Sequence, residues 1–197
     1  MKKVVWFIPF LIFSISLNAQ SPWELKKDKE GIKIYTRMVP NSKFKELKAT
    51  TTIDTSIEAV LAELLEAPAY YEGCEAGKSF YVKAIDDNQH VFYAYRDLPW
   101  PVKDRDIVTL LTVERTSDKK IKLHLKGLPT ELPEKDKTIR VKDVTGFWLL
   151  EETNGQTQVT QQLYLDPEGS IPPLVTNSLL VKGPFKTFTE LRASAAE

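Results

Sequence analysis

Between residues 31 and 165 the chain consists mostly of short runs that alternate apolar and polar side chains, interrupted by one helix-spaced stretch and by Pro-rich loops. A period of two puts every second side chain on one face of an extended strand, so such runs fold as half-buried β-strands. Ile32, Ile34 and Thr36 alternate with Lys33, Tyr35 and Arg37, and Leu47, Ala49, Thr51 and Ile53 share one face of residues 44–53. Further strands are predicted at 79–85, 91–96, 107–114, 121–126, 138–144, 147–151 and 157–165. Asp86-Asp87-Asn88, Ser117-Asp118 and Asn154-Gly155 mark turns between them, the last a strong hairpin dipeptide. The helix-spaced stretch is 57–65, where Ile57, Val60, Leu61, Leu64 and Leu65 recur along one stripe. Thr55 reads as the cap of that helix, with Glu58 completing a capping box, and Pro68 as its stop. Residues 21–29 read as a short entry helix. From Pro172 onward the chain reads as one long closing helix opened by paired prolines. Gly183 and Pro184 in its middle predict a kink, either a hinge or a static bend fitted to the sheet. Many antiparallel strands, one middle helix and one closing helix make an α+β chain.

The first residues are a separate object. Lys2 and Lys3 precede an apolar run, Val4 to Leu17, and Asn18-Ala19-Gln20 offers a small residue for cleavage. Residues 1–19 read as a secretory signal peptide cut near Ala19, the other reading being an uncleaved anchor. The run is short for a membrane span, which takes about 20 apolar residues. The expected product is exported to a periplasm or to the medium. Residues 20–197 fit one domain of the usual ~100–200 residues. The chain is 42% hydrophobic and 27% charged, which is globular and not disordered. Cys74 is the only cysteine, so no internal disulfide forms, and a partly buried thiol is expected there. Lys and Arg total 27, as do Asp and Glu. Loss of Lys2 and Lys3 leaves a slight negative charge. That composition argues against nucleic acid as a partner, which takes a basic surface, and against strong attachment to anionic lipid.

No catalytic set stands out. His90, after a polar turn, reads as solvated, and His124 lies on the strand face of Lys122 and Lys126. Neither histidine has metal-ligand spacing. There is no G-x-S-x-G elbow, and with 8 glycines the chain has no glycine-rich phosphate loop. The acid pairs Asp86-Asp87 and Glu151-Glu152 read as solvated strand ends. No metal or cofactor is expected.

Residues 97–106, Asp-Leu-Pro-Trp-Pro-Val-Lys-Asp-Arg-Asp, stand between two strand runs. Two prolines stiffen the segment and push the residues before them toward extended geometry. Leu98, Trp100 and Val102 occur where an ordinary hairpin shows Gly and Asn, and apolar side chains on a stiff loop either cover the core or enter something. The Pro-Trp-Pro-Val-x-x-Arg-Asp pattern at 99–106 resembles the signature of START domains, the StAR-related lipid-transfer modules. Asp166-Pro-Glu-Gly-Ser-Ile-Pro172 resembles that family's approach to its last helix, and Lys182-Gly-Pro-Phe185 with Leu191-Arg192 resembles the helix. Trp23 with Gly31-Ile-Lys-Ile-Tyr-Thr-Arg37 resembles the family's opening helix and first strand.

The resemblance implies a helix-grip fold, a curved antiparallel sheet wrapped around the C-terminal helix, with a hollow that takes one lipid. A filled core would serve instead as a protein-interaction module. The strands supply Phe80 and Val82 with the lining candidates Phe92, Tyr93, Tyr95, Leu111, Leu123 and Leu163. Mouth candidates lie on the 97–106 loop (Leu98, Trp100, Val102), the 128–133 loop (Leu132) and the closing helix (Leu174, Phe185), with Gly183 and Pro184 as hinge. An acid–base pair that some members carry falls at Phe92 and Leu111, both apolar here. A family Trp falls at Tyr70, and Leu174 replaces another. Arg105, Asp106 and Arg140 read as an ion-pair network locking the Pro-rich loop, the other reading being a ligand headgroup site. The expected function is non-enzymatic binding and transfer of a lipid, fatty acid or sterol-like molecule, by a monomer that touches membranes transiently. The alternative is a cyclase or hydrolase of the same superfamily acting on a hydrophobic substrate, distinguished by a titratable group facing inward.

Overall fold

The computed structural model describes residues 21–66, 79–98, 100–169, 171 and 173–195, with backbone alone for 173–178. The expectations for residues 1–19, Pro68, Tyr70, Cys74 and the side chain of Leu174 lie outside the described residues. In chain order the elements are β1 (Glu24–Lys29), β2 (Ile32–Met38), β3 (Lys45–Ile53), α1 (Ile57–Leu65), β4 (Ser79–Asp86), β5 (Gln89–Arg96) and β6 (Asp104–Ser117). β7 (Lys120–Gly127), β8 (Thr138–Val141), β9 (Val144–Thr153), β10 (Gln156–Leu165) and α2 (Pro173–Ser194) complete it. The strands form one curved sheet in the order β1-β2-β3-β10-β9-β7-β6-β5-β4, with β8 beside β6. Neighbours along that path are antiparallel, and β8 pairs parallel with the first residues of β6. A curved antiparallel sheet, a short helix and a C-terminal helix constitute the helix-grip fold.

Three local readings change. Residues 24–29 are an edge strand and not a helix. Glu30 and Gly31, at φ 55° and 75°, turn the chain straight back into β2. The stretch Glu-Leu-Lys-Lys-Asp-Lys carries one apolar residue and no helical stripe, and lysines on an outer strand discourage pairing with foreign edges. Residues 138–144 are split between two strands, because the chain leaves β6 at Val141, meets β10 at Val144 and pairs with β7 from Thr145. The cap of α1 is Ser56, whose hydroxyl accepts from the Ala59 N–H at 3.3 Å. Glu58 reaches Arg115 instead of the cap, and the Glu152 carboxylate accepts from the Ile57 N–H at 2.9 Å, tying the helix start to β9. Asn154 and Gly155, at φ 54° and 78°, make the tight hairpin that their sequence predicts.

The sheet buries both faces unequally. Its inner face meets α1 and α2 in the main core, where Ile34, Leu47, Ala49, Leu123, Trp148 and Leu150 pack with Ile57, Val60 and Leu64 of α1 and Leu180, Phe188 and Leu191 of α2. Trp148 stacks on Phe188 with ring centroids 5.4 Å apart. A smaller cluster of Val91, Tyr93 and Val108 lies apart from it, covered by Leu128 and Leu132 from the β7–β8 loop. Glycine is required at 146, where a Cβ would stand 2.3 Å from the Gln162 carbonyl oxygen.

Candidate functional site

The region beneath α2 is assembled by strand phase. Phe92, Leu111 and Leu123 occupy inner-face positions of β5, β6 and β7 and belong to the main core, with Leu163 and Phe185 packed against it half-buried. α1 is held on this face by its double cap and by the four apolar residues of its stripe. α2 runs unbroken from Pro173 to Ser194 with Pro184 inside it, and Gly183 faces open space. The Lys27 ammonium lies 3.4 Å from the centre of the Phe185 ring, holding β1 to the helix.

Tyr93, Tyr95 and Leu132 do not join that region. They belong to the second cluster, because successive side chains of a strand point to opposite faces and Phe92 already takes the inner one. Tyr93 stacks on Phe80 at 4.8 Å and donates to Asp106 Oδ2 at 3.3 Å. Burial pushes its phenol pKa up. Tyr95 donates to Asp104 Oδ2 at 2.6 Å, which drives the phenol pKa well above its ordinary value.

Each of the loops is fastened by a charged side chain. Asp104 closes the 97–104 loop: its Oδ1 accepts from the Leu98 N–H at 3.0 Å while Oδ2 takes the Tyr95 hydroxyl. Those bonds, Tyr95 first, hold its carboxyl below the usual carboxylate range. Leu98 and Val102 are half-buried, whereas Trp100, joined to Pro101 by a cis peptide bond, is 92% exposed at the tip. Arg140 forms a two-pronged ion pair with Asp106, Nε to Oδ1 at 2.8 Å and Nη2 to Oδ2 at 2.9 Å, both side chains 1% exposed. Its remaining donors reach the carbonyls of Pro129, Leu132 and Pro133, pinning the β7–β8 loop over the second cluster. The bond to Asp106 raises its pKa further. Arg105 stands outside that pair. Its guanidinium donates to the carbonyls of Pro167 at 2.6 Å, Glu168 at 2.8 Å and Lys103, fixing the segment that leads into α2.

Three polar residues of the inner face were not among the site residues read from sequence. Ser79 Oγ, His90 Nε2 and Arg96 Nη1 are shut off from solvent without a hydrogen-bond partner among the described residues. His90 is therefore not a freely solvated turn residue; its ring lies 6.2 Å from that of Tyr81. The signal was present in the phase of β5, since 90 and 96 fall on the same alternation as Phe92. His124, by contrast, is bound to Glu114 at 2.7 Å on the exposed side. Glu151 pairs with Lys120, and Glu152 serves α1. Among the described residues no three His, Cys, Asp or Glu gather as metal ligands. An open cleft of about 400 Å³ lies between Leu125–Gly127 and Lys142–Gly146, and none of the sequence candidates lines it.

The chain matches the START domain family model over residues 16–196. An uncharacterized protein of Pseudomonas aeruginosa is 35% identical over 189 residues, covering 93% of this chain and 92% of its own. The crystal structure of the STAR-related lipid transfer protein from Xanthomonas axonopodis is similar at TM-score 0.80 and 31% identity, covering 89% of this chain and 99% of that one. Human StAR-related lipid transfer protein 5 shares the fold at TM-score 0.71 and 16% identity, covering 88% of this chain and 86% of that one. With an apolar region beneath a C-terminal helix and a family match over nearly its whole length, this chain belongs to the START domain family, a superfamily that binds lipids and other hydrophobic ligands.

Proposed function

We propose that this START domain binds one hydrophobic molecule, a lipid, fatty acid or sterol-like compound, between the inner face of its sheet and α2, and carries it through water without altering it. The observation behind the reading is the gathering of Phe92, Leu111, Leu123 and Leu163 under Phe185 and Phe188 of α2. Moving an alkyl chain from water into such surroundings gains ~0.8 kcal/mol per CH₂, so a long chain needs few polar contacts to bind. Opening takes place between α2 and the 97–104 and 128–133 loops. Trp100, exposed between two prolines, and Leu179, 49% exposed on α2, suit brief contact with a membrane surface, where an amphipathic ring settles at the headgroup level. The protein acts as an exported monomer once residues 1–19 are removed.

The test is extraction of the protein, purified from its native host, with organic solvent, followed by mass spectrometry. A lipid at one equivalent per chain is expected. An empty extract together with failure to take up any of a panel of lipids refutes the reading. A second reading has one observation in its favour: His90 is a titratable group on the inner face, its Nε2 unpaired. Turnover of a hydrophobic ester by the purified protein, abolished by His90→Gln, would establish an enzyme. A lone imidazole lacks the nucleophile and the orienting partner that a catalytic set requires, which favours the carrier.

A further inference from the structure

The unpartnered donors on the inner face are not scattered. β5 pairs with β6 in unbroken register from Gln89 to Arg96, so Arg96 shares the face of Phe92 while Tyr95 turns away. Ser79 stands opposite Ala94 across the β4–β5 ladder, on the same face and diagonal to Arg96. His90 lies six residues away along β5, about 20 Å, and belongs to the other end. Arg96 Nη1 and Ser79 Oγ thus form one polar end to a face that continues through Phe92 and Leu111 as hydrocarbon.

Arg96 has no ion-pair partner among the described residues. The residue across the ladder from it is Arg105, which adds a second positive charge and whose own donors are taken by four backbone carbonyls. A guanidinium nitrogen withdrawn from water without an acceptor is unfavourable, and its fork of donors fits the oxygens of a carboxylate or phosphate.

We propose that Arg96, with Ser79 beside it, is the head-group site for an anionic amphiphile. Oxygens of a carboxylate or phosphate accept from the Arg96 guanidinium and the Ser79 hydroxyl, and the alkyl part runs over Phe92 toward Leu111 and Leu123. The inference rests on the hydrophobic-ligand reading above and adds the charge of the ligand's head and its place.

The experiment measures displacement of the uncharged fluorophore N-phenyl-1-naphthylamine from the delipidated protein by palmitate, by hexadecanol and by dipalmitoyl phosphatidic acid. Palmitate, ionised at neutral pH, is expected to bind about tenfold or more tighter than hexadecanol of equal chain length, the range of a charge-assisted hydrogen bond. Arg96→Met is expected to abolish that gap while leaving hexadecanol and the fluorophore within about twofold, and Arg96→Lys, which keeps the charge but loses the fork, to restore part of it. Stronger binding of phosphatidic acid than of palmitate names a phospholipid head; the reverse names a free fatty acid; either supports the site. Equal affinity for palmitate and hexadecanol in the unmodified protein overturns the head-group assignment and leaves the hydrophobic reading standing, and this comparison needs no variant to fold. Failure of the fluorophore and all three competitors to bind overturns the hydrophobic reading itself.

Discussion

Replacing Asp106 by Asn keeps the shape of the side chain and removes one charge from a pair whose members are each 1% exposed. Arg140 then keeps its bonds to Pro129, Leu132 and Pro133 but faces no anion. An uncompensated charge of this kind costs about 3–5 kcal/mol of stability. With a urea m-value of about 2 kcal/mol/M, the unfolding midpoint falls by roughly 1.5–2.5 M. For a domain of this size the thermal midpoint falls by about 6–20 °C. Arg140→Met alone is expected to cost a similar amount, since it strands the Asp106 carboxylate. The double variant Asp106→Asn with Arg140→Met removes both charges, so neither is left buried without its partner. Its cost is therefore expected to fall at least 2 kcal/mol below the sum of the singles, the residue of that cost arising from three loop carbonyls that lose a donor (about 2 kcal/mol being well above ordinary non-additivity of distant sites). Urea titrations followed by tryptophan fluorescence on the four proteins supply the cycle. Additive costs, or an Asp106→Asn midpoint within about 0.3 M of the unmodified protein, would refute the view that this pair fastens the β7–β8 loop through its charge.

Three further outcomes follow from the geometry. Gly146→Ala drives a methyl into the Gln162 carbonyl at 2.3 Å, and because that atom is backbone the β9–β10 ladder must part, with an expected loss of about 1–3 kcal/mol in a urea titration. Ser56→Ala is expected to cost about 1 kcal/mol and Thr55→Ala markedly less, reversing the order that the capping-box reading of the sequence gives. The low pKa of Asp104 means that its bonds favour the folded loop at pH values above the ordinary carboxylate range and that this contribution is lost as pH falls through the lowered value; Tyr95→Phe removes the main cause, so a carboxyl carbon NMR titration should show the Asp104 transition move up toward the ordinary carboxylate range.

Wherever a single alternation governed a segment, the sequence was a sufficient guide. The strands that became β2, β3, β6, β7 and β10, the stripe of α1 and the Asn154-Gly155 turn all follow from spacing that no distant contact overrides. Residues 24–29 illustrate the opposite case: so short and polar a segment takes its form from the neighbour it meets, and β2 offers a free edge. The apolar character of Phe92 and Tyr93 alone suggests lining for both, although adjacent residues of one strand cannot face one space. Tyr93 serves instead the cluster that Leu128 and Leu132 cover, and nothing local in the sequence announces that second cluster, because its cover comes from a loop some forty residues downstream. The same phase argument, applied strictly, puts His90 and Arg96 beside Phe92. Their lack of partners is a property of three-dimensional packing and has no trace in the one-dimensional pattern.

The placement of the arginines explains how one sheet can hold its loops firmly and still leave a face available for a ligand. Arg140 spends all its hydrogen bonds on Asp106 and the β7–β8 loop, and Arg105 spends its own on the approach to α2. Both are saturated by protein groups, so removing either is felt as lost stability. Arg96 is the guanidinium of this end of the sheet whose Nη1 finds no acceptor among the described residues, and it shares its strand face with Phe92. A saturated arginine has no donors to offer a ligand, whereas an unsaturated one at the end of an apolar strip presents the donors and the charge that an amphiphile's head lacks in hydrocarbon. The two kinds of site therefore separate under mutation: loss of Asp106 or Arg140 lowers the unfolding midpoint, and loss of Arg96 changes which head groups bind while removing no side-chain hydrogen bond seen among the described residues.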